Sequence, residues 1–271
     1  MERISSLQNP RVKAFVQLST KSKERRTSNR FVMEGAREIG FALGARYLPE
    51  ILFVCGEQLS NEASQLLSSL PPSVPVVEVT AGVFAKMAYR EHSDGLLAVA
   101  ATAVHSLKSL ELTPNPFVIV LESVEKPGNL GAVLRTADAA NVDAVIVCDP
   151  LTDLYNPNVI RSGIGCLFTV PTAVSTPEET LIWLRKNRIQ VFAAELTASI
   201  PHHCADFTGP SAIVMGTEAH GLTPFWLSHA DARIKIPMRG KIDSLNVSVS
   251  TAIITFEAMR QREVSALLPL S

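Results

Sequence analysis

The stretch "LESVEKPGNLGAVLRTADAANVDAVIV", residues 121–147, decides how the chain is read. An apolar run enters a turn built on Lys126, Pro127 and Gly128, a helical pattern follows, and a second apolar run closes the unit. A strand, a crossover helix and a strand make one segment of a parallel sheet. The glycines, Gly128 and Gly131, do not form the three-glycine G-x-G-x-x-G turn of a dinucleotide fold. Leu130, Val133, Leu134 and Ala137 fall on one apolar stripe of the helix, whereas Gly131, Arg135 and Asp138 lie on another face. Gly131, one turn before Arg135, leaves room for a backbone or ligand beside the guanidinium. The alternative use of this arginine is an ion pair with Asp138, worth a few tenths of a kcal/mol at this spacing.

Downstream, apolar runs at 167–171, 190–196, 212–216 and 233–237 read as strands, and 157–162, 177–186 and 244–262 as helices. Upstream, helices at 9–18, 34–45, 61–69 and 81–87 alternate with strands at 50–55, 74–79 and "GLLAVAATAV". Pro114 and Pro116 break the pattern between these series. The expected organisation is α/β: a first domain over residues 1–104, a linker over 105–116 and a second domain over 117–271. Ligands in such sheets bind beyond the carboxyl ends of the strands.

Two further strand ends carry unusual turns. In "IVMGTEAHGLT" an uncharged strand ends at Gly216, and Glu218 and Gly221 occupy the tight turn after it. In "IKIPMRGKIDSLNVSVSTAIITFEAMR" the strand ends at Pro237 and a basic loop follows. Ser244 is placed to cap the long helix after it, and Asn246 sits in the first turn. Leu245, Val249, Ala252, Phe256 and Met259 form an apolar stripe, and Ser244, Ser248, Thr251 and Thr255 form a narrow face of small residues. Small residues permit close helix packing, which suggests a contact between subunits.

With 46% hydrophobic and 19% charged residues, the 271-residue chain has a globular composition. No apolar run is long enough to span a membrane, and the N-terminus lacks a signal-peptide core, so the expected location is cytoplasmic. Cys55, Cys148, Cys166 and Cys204 are far apart and read as reduced core thiols. "PHHC" (His202, His203, Cys204) lacks a second cluster at ligand spacing, so no metal is expected. The net charge is only −1, but residues 1–40 hold nine Lys/Arg against four acids. Arg11, Lys21, Lys23, Arg25, Arg26 and Arg30 are candidates for contact with RNA phosphates, the alternative being a solvated helix end.

"PGNLGAVLRTA", "VMGTEAHGL" and "IPMRGKIDSLNVSVSTAI", in this order at strand ends, resemble the three motifs of the SpoU (TrmH-like) family of RNA ribose 2′-O-methyltransferases, within the SPOUT superfamily. "ISSLQNPRVKAFVQL", "FVMEGAREI" and "SDGLLAVA" resemble the L30e-like RNA-binding domain that often precedes that unit. The resemblance implies a trefoil-knot methyltransferase domain, a homodimer joined through it and S-adenosylmethionine as cofactor. It assigns Asn129 and Arg135 to the first motif, Glu218 to the second and Ser244 and Asn246 to the third. Gly216, Ile236 and Leu245 match positions whose backbone holds the cofactor, and Leu196 borders the same pocket. The first domain favours large-subunit ribosomal RNA, with transfer RNA as the runner-up.

In the implied reaction a ribose oxygen attacks an activated methyl group, so alignment is the main demand on the enzyme. Arginine stays protonated, with a reference pKa above about 12. Arg135 is therefore better suited to stabilising a developing alkoxide or gripping a phosphate than to acting as a base. A non-catalytic RNA-binding protein on the same fold, and a nicotinamide-dependent dehydrogenase, are the competing readings. The complete polar set counts against the first and the missing glycine fingerprint against the second.

Overall fold

A computed structural model describes residues 2–90, 93–198, 200–217 and 220–267. The chain forms two compact units, Met1–Val104 with Asp153–Thr169, and His105–Thr152 with Val170–Ser271.

The first unit contains β1 (Glu2–Ile4), α1 (Pro10–Thr20), α2 (Ser22–Ser28), β2 (Arg30–Glu34), α3 (Ala36–Gly44), β3 (Pro49–Val54), α4 (Asn61–Ser69), β4 (Val76–Val79), α5 (Ala81–Met87) and β5 (Leu96–Ala101). The strands form a mixed sheet in the order β1-β4-β3-β5-β2. Helix α1 starts where Asn9 accepts from the Arg11 N–H at 2.9 Å and Pro10 supplies a ready-set φ. Its Val12, Phe15 and Leu18 are buried and contribute to a core with Phe53, Val77, Phe84 and Leu97.

The second unit opens with β6 (Phe117–Glu122), α6 (Pro127–Ala139) and β7 (Ala144–Cys148). The chain then enters the first unit for α7 (Pro157–Ser162). It returns for β8 (Thr172–Ser175), α8 (Pro177–Lys186), β9 (Gln190–Ala194), β10 (Ile200–Pro201), β11 (Ser211–Met215), α9 (Pro224–His229), β12 (Ala232–Lys235) and α10 (Val247–Leu267). The strands pair in the order β10-β12-β9-β11-β6-β7-β8, every pairing parallel. Their buried faces explain the near-continuous Val, Ile and Ala runs.

Several sequence expectations change. The strand expected at 167–171 is instead a series of turns, and β8 starts at Thr172. Residues 153–169, counted with the second domain in the sequence, pack with the first unit: Phe31 is fully buried against Tyr155 and Phe168, with ring centroids at 4.4 and 5.8 Å. The expected linker is part of the second unit, where Leu107, Leu110 and Leu112 pack on the core. Asp143 ties down its end by accepting from the N–H groups of Thr113 and Phe117, each at 2.8 Å. Three cysteines are buried as expected, but Cys204 is exposed. Burial pushes the Cys148 thiol up to about 12, which suits an inert core thiol.

Candidate active site

The parallel sheet brings the ends of β6, β11, β9 and β12 to one edge. Between β6 and β11 the order of strands reverses direction, and a crevice opens at such a point. At this edge the first turn of α6 meets the start of α10. Asn246 Nδ2 donates to Asn129 Oδ1 at 3.2 Å, linking two positions 117 residues apart. The orientation of the Asn246 amide follows from its other bonds. Its Oδ1 accepts from the Ser248 N–H at 3.0 Å and the Ser248 hydroxyl at 2.6 Å, which leaves the amino end for Asn129. Asn246, not Ser244 as the sequence suggested, therefore caps α10. Ser244 donates to Asp243 at 3.2 Å and lines a cavity.

That cavity has a volume of about 370 Å³, and all four expected cofactor positions, Leu196, Gly216, Ile236 and Leu245, line it. A second cavity, of about 220 Å³, lies under Asn129 and Lys126. The two share Met215, Gly216, Thr217 and Val247. A small molecule in the larger cavity and a reacting group in the smaller one would face each other across this wall.

Gly216 is required by the backbone. A Cβ there would lie 2.1 Å from the Gly221 carbonyl carbon and 2.4 Å from the Leu222 nitrogen. The turn folds back this closely because Thr217 and Gly221 exchange backbone hydrogen bonds of 3.1 and 2.9 Å, with Gly221 at φ +68°. Bare backbone is thus presented to the larger cavity. Apolar Leu222, Leu245 and Ile254 beside polar Glu195, Thr197 and Lys235 suit a flat heterocycle carrying a polar tail.

One buried acid stands apart from the residues singled out by sequence. Glu122, 3% exposed at the end of β6, accepts from the Thr223 N–H at 2.8 Å and the Thr223 hydroxyl at 2.7 Å. A carboxylate closing an otherwise apolar strand was the available signal.

Arg135 lies on the exposed side of α6 and lines neither cavity. Among the described residues it makes no hydrogen bond or ion pair, so the i, i+3 pairing with Asp138 does not form. Glu218 lies outside the described residues. Among the described residues no cluster of potential metal ligands occurs.

The basic N-terminal set divides. Lys21, Lys23 and Arg26 are exposed. Arg11 is exposed but paired with Glu2 at 2.7 Å, and Arg30 is paired with Glu50 at 2.6 Å. Arg25 departs from the expectation: it is 3% exposed, bonds the Leu18 carbonyl at 2.6 Å and holds Asp153 at 2.6 Å. Its guanidinium is engaged inside the first unit and is not available to a phosphate.

The long helix also differs from expectation. Thr251, Ile254, Thr255 and Ala258 are buried as α10 packs on α6 and β11, so the small-residue face is used within the chain. Of the apolar stripe, Val249 and Phe256 are 47% and 51% exposed, whereas Leu245, Ala252 and Met259 are half-buried.

Residues 116–256 match the SpoU rRNA Methylase family, and residues 9–98 match the MRM3-like substrate binding domain. The chain is similar to the 23S rRNA (guanosine(2553)-2′-O)-methyltransferase RlmP of Bacillus subtilis (strain 168), at 28% identity over 256 residues, covering 94% of this chain and 98% of that protein. Among solved structures, an RNA 2′-O ribose methyltransferase is 39% identical with a TM-score of 0.86, covering 96% of this chain and 99% of that one. AviRb, a SpoU methyltransferase from Streptomyces viridochromogenes in complex with AdoMet, is 25% identical with a TM-score of 0.86, covering 94% of this chain and 100% of that one. With the motif residues at one sheet edge and more than half of its length matched, the chain belongs to the SpoU rRNA methylase family.

Proposed function

We propose that this protein transfers a methyl group from S-adenosylmethionine to a ribose 2′-hydroxyl of RNA, with 23S ribosomal RNA as substrate. The observation that carries this reading is the pair of cavities sharing the Met215–Thr217 and Val247 wall, with the Asn129–Asn246 bond at the rim. The rRNA substrate is favoured over transfer RNA because RlmP aligns along 94% of this chain, N-terminal unit included.

The larger cavity is the donor site. Gly216, Ile236 and Leu245 offer backbone, Leu196 forms the outer lip, and the polar Glu195, Thr197 and Ser244 face the ligand's hydroxyl and amino groups. The cofactor supplies an electrophilic methyl group on a sulfonium centre. The protein's task is to place the ribose oxygen in line with it. Asn129, held by Asn246, orients groups at the rim of the smaller cavity. Arg135 reaches the RNA from the exposed side of α6, stabilising negative charge on the sugar oxygen or gripping the adjoining phosphate. Lys21, Lys23 and Arg26 hold the RNA backbone.

A second copy of the chain covers Val249 and Phe256, giving a homodimer joined through α10. The C-terminal segment is knotted, residues 236–246 threading the preceding loops. What supports this is that residues 236–245 share one cavity with 194–197 and 216–222. No described helix is long and apolar enough to cross a membrane, and a cytoplasmic place of action goes with a ribosomal RNA substrate.

Calorimetric titration with S-adenosylmethionine, together with 2′-O-methyl mapping of rRNA from cells with and without the protein, tests the proposal. Saturable binding and loss of a 23S ribose methyl group are expected. Absence of binding, or identical methylation maps, overturns it.

A further inference from the structure

Glu122 takes no direct part in the methyl-transfer reading, yet it is buried, ionisable and bonded through both oxygens. We infer that Glu122 is a positioning residue for the donor site: its carboxylate clamps Thr223, and through Thr223 it fixes the His220–Leu222 wall of the cofactor cavity. The inference rests on the assignment of that cavity to the cofactor.

The bonding pattern identifies the role. Thr223 stands at the N-cap of α9, with Pro224 in the first turn, but its side chain makes no capping bond. The hydroxyl and the backbone N–H both turn to Glu122, at 2.7 and 2.8 Å, across 101 residues of sequence. Just upstream, His220, Gly221 and Leu222 line the larger cavity. Thr217 holds the other side of this turn through its backbone pair with Gly221 and a 3.1 Å bond from the His220 N–H to its hydroxyl. The turn is therefore fastened at one flank by Thr217 and at the other by Glu122. Glu122 also lines the smaller cavity, so one side chain ties the wall of the donor site to the floor of the acceptor site.

Burying a carboxylate carries a desolvation cost, and an apolar residue would extend the buried run of β6 without it. The carboxylate instead satisfies two donors at a tight turn. Glutamine can reproduce the clamp, because its carbonyl accepts from the Thr223 N–H while its amino group donates to the rotated hydroxyl. Leucine fills the space but offers no acceptor.

The test is steady-state kinetics with S-adenosylmethionine and rRNA, plus calorimetry, on Glu122→Leu, Glu122→Gln and Thr223→Val. For Glu122→Leu the cofactor Kd and KM should rise about tenfold, on the scale of one hydrogen bond to a charged group. For Thr223→Val, whose side chain lines neither cavity, KM for RNA and kcat at saturating cofactor should stay within about twofold, a split that a lower folded fraction does not produce. Glu122→Gln should lie close to wild type in cofactor affinity. Thr223→Val, at an exposed position and lacking only the hydroxyl donor, should show a smaller rise of about threefold, and decides the matter if the leucine variant does not fold. Unchanged cofactor affinity in the folded Leu or Val variants overturns the clamp, as does a glutamine variant as weak as leucine. If the unaltered protein binds no cofactor, the methyl-transfer reading falls and this inference with it. Wild-type binding beside an indifferent leucine variant removes the clamp alone.

Discussion

The side-chain amide of Asn246 donates to that of Asn129 at 3.2 Å while its own oxygen caps α10 through Ser248. One residue thus carries two separable duties. Asn246→Asp keeps the capping oxygen and loses the donor, so its thermal midpoint should stay near wild type while kcat/KM falls at least tenfold, about the 1.4 kcal/mol of one hydrogen bond. Asn246→Ala should lose about 1 kcal/mol of stability in addition. If the pair acts as a unit, Asn129→Ala combined with Asn246→Asp should be no worse than the weaker single variant, measured as a double-mutant cycle.

Arg135 is exposed and without a partner among the described residues, so its replacement should not disturb the fold. Arg135→Lys keeps the charge and loses the planar fork. S-adenosylmethionine affinity should remain within about twofold, whereas methylation should fall about a hundredfold, the scale of losing one transition-state donor. Unchanged turnover would remove Arg135 from the chemistry.

At Gly216 even one methyl group is too much. With Gly221 and Leu222 backbone at 2.1 to 2.4 Å from the new carbon, Gly216→Ala must open the turn. A loss of about 1–3 kcal/mol in stability is expected, with cofactor binding weakened more than tenfold. Melting curves and calorimetry on the same preparation read both effects.

The basic segment should divide into structural and RNA-facing residues. Arg25→Ala leaves Asp153 without its buried partner and should cost about 3–5 kcal/mol, seen in denaturant unfolding. Replacing Lys21, Lys23 and Arg26 together with glutamine should leave stability unchanged and weaken RNA binding. The slope of log affinity against log salt should shrink by about 2 to 3, the share of three phosphate contacts.

Acid should loosen α10 through Glu257. Its carboxyl is held down to about 2, first by the hydrogen bonds from Arg260 at 2.7 and 2.9 Å and then by Gln261 at 2.8 Å. A carboxylate depressed on folding contributes stability that is present above its ordinary value, 4.5, and lost as pH falls through about 2. The stability gap between wild type and Glu257→Gln should therefore be widest above pH 4.5 and narrow steadily on acidification. A constant gap in denaturant titrations would disprove the assignment.

Much of this arrangement is legible in the sequence where local pattern and burial agree. Helix α6 shows its apolar stripe, helices α4 and α5 begin and end where periodicity places them, and the glycine at 216 marks a strand end. Legibility fails where a distant partner decides. Leu167 and Phe168 look like strand residues, but Phe168 packs in an aromatic group with Phe31 and Tyr47, so no strand forms there. Arg25 reads as one cation among several until Asp153 is seen beside it. Ser244 reads as the cap of the long helix, whereas the bonds from Ser248 to the Asn246 side chain put the cap two residues later. The face of α10 that packs inward depends on α6, and spacing alone favours the opposite face.

The excursion of residues 153–169 into the first unit has a consequence during synthesis. Phe31 is sealed by Tyr155 and Phe168, and Arg25 is neutralised by Asp153. A nascent chain that has emerged only as far as residue 104 holds an open hydrophobic ring and an uncompensated buried cation. The amino-terminal half must therefore wait, incomplete, until the ribosome has released residue 169. Cutting the gene at the expected domain boundary, after residue 104, would strand that portion in the same unfinished state.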